Sequence, residues 1–309
     1  VVVALVISAV SVVSFVLVEL RASDPLLDVR YFRRRGFATG SISVTLQFLV
    51  IFGFFLLIVQ YLQLVKNYDS LMAAMSLAPM AVPVLLLSLV APKLTSLVGL
   101  RVMSVVGVTG IAVGMILLSR LTVDSDYWDV LWPLFIAASG LGLSTAPATS
   151  AIVSDIPSDE QGVGAAVNDA MREVGAAIGI AIGGSLLAGR YARDIVEILP
   201  GVPEAGRHAV ESSLAGAVAF GAQAGPAAQP IVDAAAEIFT AGLSDALFAL
   251  GLVAAGAAGL LLFIAPGRGY VPQGDPGGAS GVGGAAGAPG AAPGAAPGAE
   301  KSVSPASSE

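Results

Sequence analysis

Apolar residues in this chain fall into seven long blocks, at 1–18, 37–59, 71–91, 101–119, 130–153, 162–189 and 242–265, separated by short polar stretches. Crossing the hydrocarbon core takes roughly 20 apolar residues in a helix. Within each block the apolar character covers every face of a helix, with neither the alternation of a strand nor the one-sided stripe of a water-soluble helix. The pattern therefore predicts an all-α, polytopic membrane helix bundle. A transmembrane barrel would need alternating segments of about ten residues. The first block has no positive residue before it and is longer than a signal-peptide core, so it reads as a retained helix.

Composition agrees: of 309 residues, 56% are hydrophobic and 12% charged, about half the usual charged fraction. A net charge of −7, with Arg33-Arg34-Arg35 as the one basic block, argues against nucleic acid as a partner. No cysteine is present, which removes disulfides, thiolate metal sites and cysteine nucleophiles together. No cofactor and no metal are expected. The partner implied by this composition is the lipid bilayer.

Cations near the block ends set the orientation. Segment 19–36 carries Arg21, Arg30, Arg33, Arg34 and Arg35, and the 91–100 loop with its flank carries Lys93 and Arg101. Both are placed in the cytoplasm, and alternation puts the C-terminal tail there too. The chain starts Val1-Val2-Val3, and an odd helix count would leave its amino terminus outside. The expectation is a multi-pass piece of a larger protein that lacks at least one preceding helix.

Residues 19–36 read as a cytoplasmic linker, and 37–265 as a six-helix bundle with a long outer loop at 190–240. Pro200, Pro203, Pro226 and Pro230 mark turns in that loop, and its spacing allows two short helices, about 204–220 and 231–240. Residues 266–309, almost wholly Gly, Ala, Pro and Ser, are expected to be a disordered tail.

Enzymatic readings fail by subtraction. A zinc protease needs clustered His and Glu, yet His208 is the sole histidine. There is no Gly-x-Ser-x-Gly nucleophile elbow. The lysines, Lys66, Lys93 and Lys301, leave none in the last helix for a retinal Schiff base. The readings that remain are transport, an inert or scaffolding membrane fragment, and, least, a polytopic membrane enzyme.

Polar groups inside helices carry the chemistry of transport. In the sixth block, Asp169, Arg172 and Glu173 fall three and four apart on one helical face, about 15 Å past the helix start, with Asn168 beside them. One cation can hold one carboxylate ionised while the second titrates, a proton-coupling arrangement. The competing reading is an interfacial salt bridge with Arg172 snorkelling to the headgroups; the apolar stretch after it, 174–189, is only 16 residues long. Gly175, Gly179 and Gly183 form a small-residue stripe for close helix packing. Gly140, Gly142 and Pro147 give the fifth block a similar texture, with Pro147 expected to break or kink the helix. In the second block Gln47 lies beside the stripe Phe48, Phe52, Phe55, read either as a drug pocket or as a lipid-facing stripe. Tyr61, flanked by Gln60 and Gln63, reads as an interfacial belt residue.

The run Asp24-Pro25-Leu26-Leu27-Asp28-Val29-Arg30-Tyr31-Phe32-Arg33, then Gln60-Tyr61-Leu62-Gln63, then Gly162 to Gly175 with Ala166-Val167-Asn168-Asp169, resembles the carboxy-terminal half of major facilitator superfamily transporters. Closest are the fourteen-helix drug:proton antiporters of the EmrB/QacA type. The resemblance covers residues 1–265. It implies that the first block is the eighth helix and that the next six are helices nine to fourteen. It also implies plasma-membrane export of small hydrophobic or antibiotic-like compounds in exchange for protons by alternating access, with an amino-terminal half of six to seven helices missing. The superfamily's Gly-x-Leu-Ala-Asp-Arg-x-Gly-Arg loop pattern would fall on 92–100, where only Leu94 and Gly99 match, so no gating ion pair is assigned there.

Overall fold

The computed structural model describes residues 2–22 and 27–268. Residues 24–26 of the linker motif and the tail beyond 268 lie outside the described residues. Among the described residues all regular structure is helical.

Helix α1 spans Val2–Glu19, and most of its described side chains are exposed. A short 3-10 turn, Val29–Arg33, leads into α2, Arg35–Gln60, which ends in a wider π turn, Tyr61–Val65. Next come α3, Ser70–Leu77, and α4, Ala81–Val98, joined through a 3-10 turn that contains Pro79. Helices α5, Leu100–Leu118, α6, Tyr127–Ser154, and α7, Gln161–Asp194, follow. Two short helices, α8, Glu204–Ser212, and α9, Leu214–Ala224, precede α10, Gln229–Ile264. Six stretches are long and apolar enough to cross a membrane: Arg35–Val65, Ser70–Val98, Leu100–Leu118, Tyr127–Ser154, Ser158–Glu197 and Pro226–Ile264. This is a multi-pass membrane protein.

The outer connection differs from the expectation drawn for 190–240. Residues 231–240 are no separate helix but the opening turns of α10. Pro230 sits in the first turn of that helix, where a missing N–H leaves no bond unmade, so it starts the helix rather than marking a turn. Pro147, expected to break or kink the fifth block, likewise does not interrupt α6, which runs unbroken through Pro133 and Pro147.

Packing has an internal symmetry. α2 packs on α7 and α5 on α6 most extensively, and α10 packs on α5, α4 on α6 and α10 on α2. Exchanging α2 with α6, α4 with α7 and α5 with α10 maps these pairings onto one another, as two three-helix repeats would. The core runs along α2, α5, α6 and α10 through Phe54, Leu57, Ile111, Met115, Leu134 and Leu247, all buried. Helices α3 and α4 keep a broad apolar face uncovered, with Leu71, Leu85 and Leu89 exposed. Lipid satisfies such a face; water does not.

Tyr61 is not a belt residue. Its side chain is buried and its hydroxyl donates to the carbonyl of Thr122 at 2.7 Å. A tyrosine at a helix end can turn inward when a loop carbonyl waits there, and sequence periodicity does not register that carbonyl. The exposed aromatics at this end of the bundle are Trp128 and Trp132 on α6.

Candidate functional site: the seam between α2, α6 and α7

Glycines set the depth of the seam. A Cβ on Gly175 would stand 2.2 Å from the Thr45 carbonyl oxygen, and one on Gly179 would stand 1.9 Å from that of Leu49. At Gly183 the helices have begun to part, with 3.4 Å to the Gly53 oxygen. The stripe on α7 thus receives the backbone of α2. Gly140 packs in the same way on α5, where its Cβ would meet the Gly107 oxygen at 2.3 Å, and Gly142 meets Val84 of α4 at 2.8 Å.

Polar side chains pin the three helices in pairs. Thr145 of α6 donates to the Gln47 Oε1 of α2 at 2.8 Å, and Gln47 Nε2 donates to Ser43 Oγ at 2.7 Å. One turn further along α6, Thr149 donates to Asn168 Oδ1 of α7 at 3.2 Å. From α7, the Arg172 guanidinium lies 5.1 Å over the ring of Phe48 on α2, completing the triangle. Thr145 and Thr149 were not singled out in the sequence; two threonines four apart inside an apolar helix are the signal that marks them.

The charged residues divide. Arg172 Nη1 stands 3.9 Å from Asp169 Oδ1, a loose pair, and the Arg172 Nε is buried with no hydrogen-bond partner. The side chain of Asp169 is 74% exposed. Glu173 is exposed and makes no ion pair among the described residues. Asn168 is buried and approaches Asp169 at 3.5 Å.

The aromatic stripe divides as well. Phe48 and Phe52 stack at 5.9 Å with 22° between their planes, and Phe48 carries Arg172. Phe55 instead packs toward the core beside Phe54. Gln47 does not join the aromatics in a pocket. It is buried, with both ends of its amide engaged between α2 and α6. A concave space of about 480 Å³ lies at the other end of the bundle, beside Asn67, Val218, Gln229 and Asp233.

Depth follows from charge. On α7 the apolar run Val174–Gly189 separates Arg172 and Glu173 from Arg190, a rise of about 24 Å. Arg190 pairs with Asp194 at 2.5 Å and with Asp245 of α10 at 3.2 Å. The two charged collars are separated by little less than the roughly 30 Å of a hydrocarbon core. The Asp169–Glu173 cluster thus lies at one end of the apolar run and Arg190 at the other.

Comparison with known proteins agrees with this architecture. A sequence model described as Major Facilitator Superfamily matches residues 1–180. Multidrug resistance protein Stp of Mycobacterium tuberculosis is 28% identical over 184 residues, 59% of this chain and 34% of that protein. Multidrug efflux pump LfrA of Mycolicibacterium smegmatis is 30% identical over 255 residues, covering 81% of this chain and 50% of that protein. Methyl viologen resistance protein SmvA of Salmonella typhimurium is 30% identical over 243 residues, 77% of this chain and 48% of that protein. The chain spans half or less of the length of these relatives.

Proposed function

The chain belongs to the Major Facilitator Superfamily, and from that premise we propose that it forms one bundle of a proton-coupled exporter of small hydrophobic or antibiotic-like compounds. It works by alternating access against an amino-terminal bundle of six to seven helices. Relatives that carry the names of efflux and resistance proteins support the substrate class. The observation that carries the reading is the seam itself, where an arginine rests on an aromatic face beside one exposed carboxylate and one turn from another.

The arrangement suits coupling because Arg172 has two alternative stabilisers. With Asp169 ionised, the guanidinium is shared between that carboxylate and the Phe48 ring. Protonating Asp169 removes one partner and leaves Arg172 to the Phe48 ring. A hydrophobic compound that competes for the Phe48–Phe52 stack then competes with the same arginine, which links substrate and proton. The Arg35 end of α2, the α4–α5 turn and the end of α10 face the cytoplasm, and the C-terminal tail emerges there. The concentration of Arg30, Arg33, Arg34, Arg35, Lys93, Arg101 and Arg268 at that end supports this orientation.

The test is export driven by a pH gradient, measured in vesicles for this bundle joined to an amino-terminal partner bundle. Of Asp169→Asn and Glu173→Gln, at least one is expected to abolish gradient-driven export while substrate still binds. Normal coupling in both amide variants would sink the proton-carrier reading. The chain by itself is expected to support no drug-dependent proton flux.

A further inference from the structure

The basic run before α2 takes no part in the seam, yet the structure organises it closely. Asp28 caps the 3-10 turn, its carboxylate accepting from the Arg30 amide at 2.9 Å. Tyr31 turns inward and donates to Glu160 Oε2 at 2.7 Å. Arg34 lies 4.7 Å over the Tyr31 ring and donates to the Asp155 carbonyl. These contacts hold Leu27–Arg35 against the loop between α6 and α7.

With Tyr31 and Arg34 committed inward, Arg30, Phe32, Arg33 and Arg35 are left exposed. Residues three apart on a 3-10 helix eclipse, so Arg30 and Arg33 share one face. None of Arg30, Arg33 and Arg35 makes an ion pair among the described residues. The stretch Leu27–Arg35 has four arginines against one aspartate, a net charge of +3, and the aspartate is occupied as a cap. The run leads directly into α2, a helix long and apolar enough to cross a membrane whose first residue is Arg35. Phe32 packs edge-on against Phe37 at 4.9 Å, placing an exposed aromatic at the same level.

We propose that Arg30, Arg33 and Arg35, held at headgroup depth by the Tyr31–Glu160 and Arg34–Asp155 contacts, form a binding surface for anionic phospholipid headgroups. The guanidinium fork matches the oxygens of a phosphodiester, and juxtamembrane arginines are attracted by net negative lipid. The occupant is a lipid rather than free phosphate, because the cations abut a membrane-length helix and carry Phe32 beside them.

The experiment follows the thermal midpoint of the purified 309-residue chain in neutral detergent while phosphatidylglycerol, phosphatidylcholine or inorganic phosphate is titrated in. Phosphatidylglycerol is expected to raise the midpoint and the other two are not. The triple variant Arg30→Gln, Arg33→Gln, Arg35→Gln is expected to weaken the apparent affinity for phosphatidylglycerol at least about tenfold, and the corresponding triple Lys variant, which keeps the charge but loses the fork, to fall between it and the parent. Equal stabilisation by phosphatidylcholine, an equal response to phosphate, or an unchanged response in the triple Gln variant would each overturn the proposal. If that variant does not fold, each single Gln substitution must lower the phosphatidylglycerol response; three unaltered singles overturn it equally.

Discussion

The carboxylate of Asp155 accepts a hydrogen bond of 2.8 Å from the backbone amide of Phe37. Asp155 closes the C-terminus of α6, yet it caps the N-terminus of α2, whose own N-cap residue, Arg34, offers no side-chain cap. Opening amides buried without a partner are costly, and the positive end of the helix dipole favours an anion there. Asp155 is fully buried. Asp155→Ala is therefore expected to lower stability by about 1–2 kcal/mol, read as a lower thermal midpoint of the detergent-solubilised chain. Asp159→Ala, four residues on and exposed, is expected to stay within about 0.5 kcal/mol. Equal effects would mean that the cap contributes nothing.

Tyr31 adds a pH dependence to the same corner. Burial first, and the hydrogen bond to Glu160 second, push its hydroxyl from 10.0 up to about 12. The folded state thus holds a proton that the unfolded chain releases. This contribution is fully present below about pH 10 and is lost as pH rises through about 12. Tyr31→Phe is expected to flatten that part of the alkaline loss of stability. Glu160→Gln is expected to lower the Tyr31 pKa only part of the way, since burial remains. Thermal midpoints of Tyr31→Phe and the parent followed against pH check the first, and a phenolate absorbance titration of Glu160→Gln against the parent checks the second.

Close approach gives a steeper contrast. A methyl on Gly179 or Gly175 would drive into a carbonyl oxygen of α2, whereas Gly183 leaves 3.4 Å and Gly189 has nothing within 4 Å. Gly179→Ala is expected to cost about 1–3 kcal/mol by overpacking, with folded protein reduced in the membrane. Gly189→Ala should be neutral or slightly stabilising, since alanine is the better helix former. Similar yields of the two variants would show that α2 and α7 do not meet at this depth.

The blocks that became spans were legible because lipid imposes a simple rule: apolar on every face for about 20 residues. The glycine stripe of α7 was legible for a related reason, as spacing by four keeps one face bare. What escaped was pairing across the bundle. Nothing near Arg34 in the sequence says that its helix is capped from 118 residues away. Tyr61 looked like a surface aromatic because its acceptor, Thr122, lies in a different loop. In sequence Gln47 neighbours the phenylalanines, but an amide with two hydrogen-bonding ends follows its partners, and these are Ser43 and Thr145. Pro230 starts a helix, and in sequence a proline at a helix start and one in a loop look alike until the following helix is seen.

The depth of Asp169 separates two roles for the charged cluster, and a chain without cysteine allows it to be measured with single introduced thiols. If the collars of α7 lie at opposite membrane surfaces, Asp169→Cys and Arg193→Cys should react with an impermeant thiol reagent from opposite sides of the vesicle. Ile180→Cys, which lies in the apolar run between them, should react from neither. In that case the cluster lies in contact with water, and any coupling must come from movement of Arg172 between Asp169 and the Phe48 face, because an interfacial carboxylate alone exchanges protons with only one side. If instead Asp169→Cys is shielded from both sides while Ile180→Cys reacts, the helix sits deeper, the carboxylate lies within the bilayer, and the interfacial placement drawn from the collar spacing is wrong.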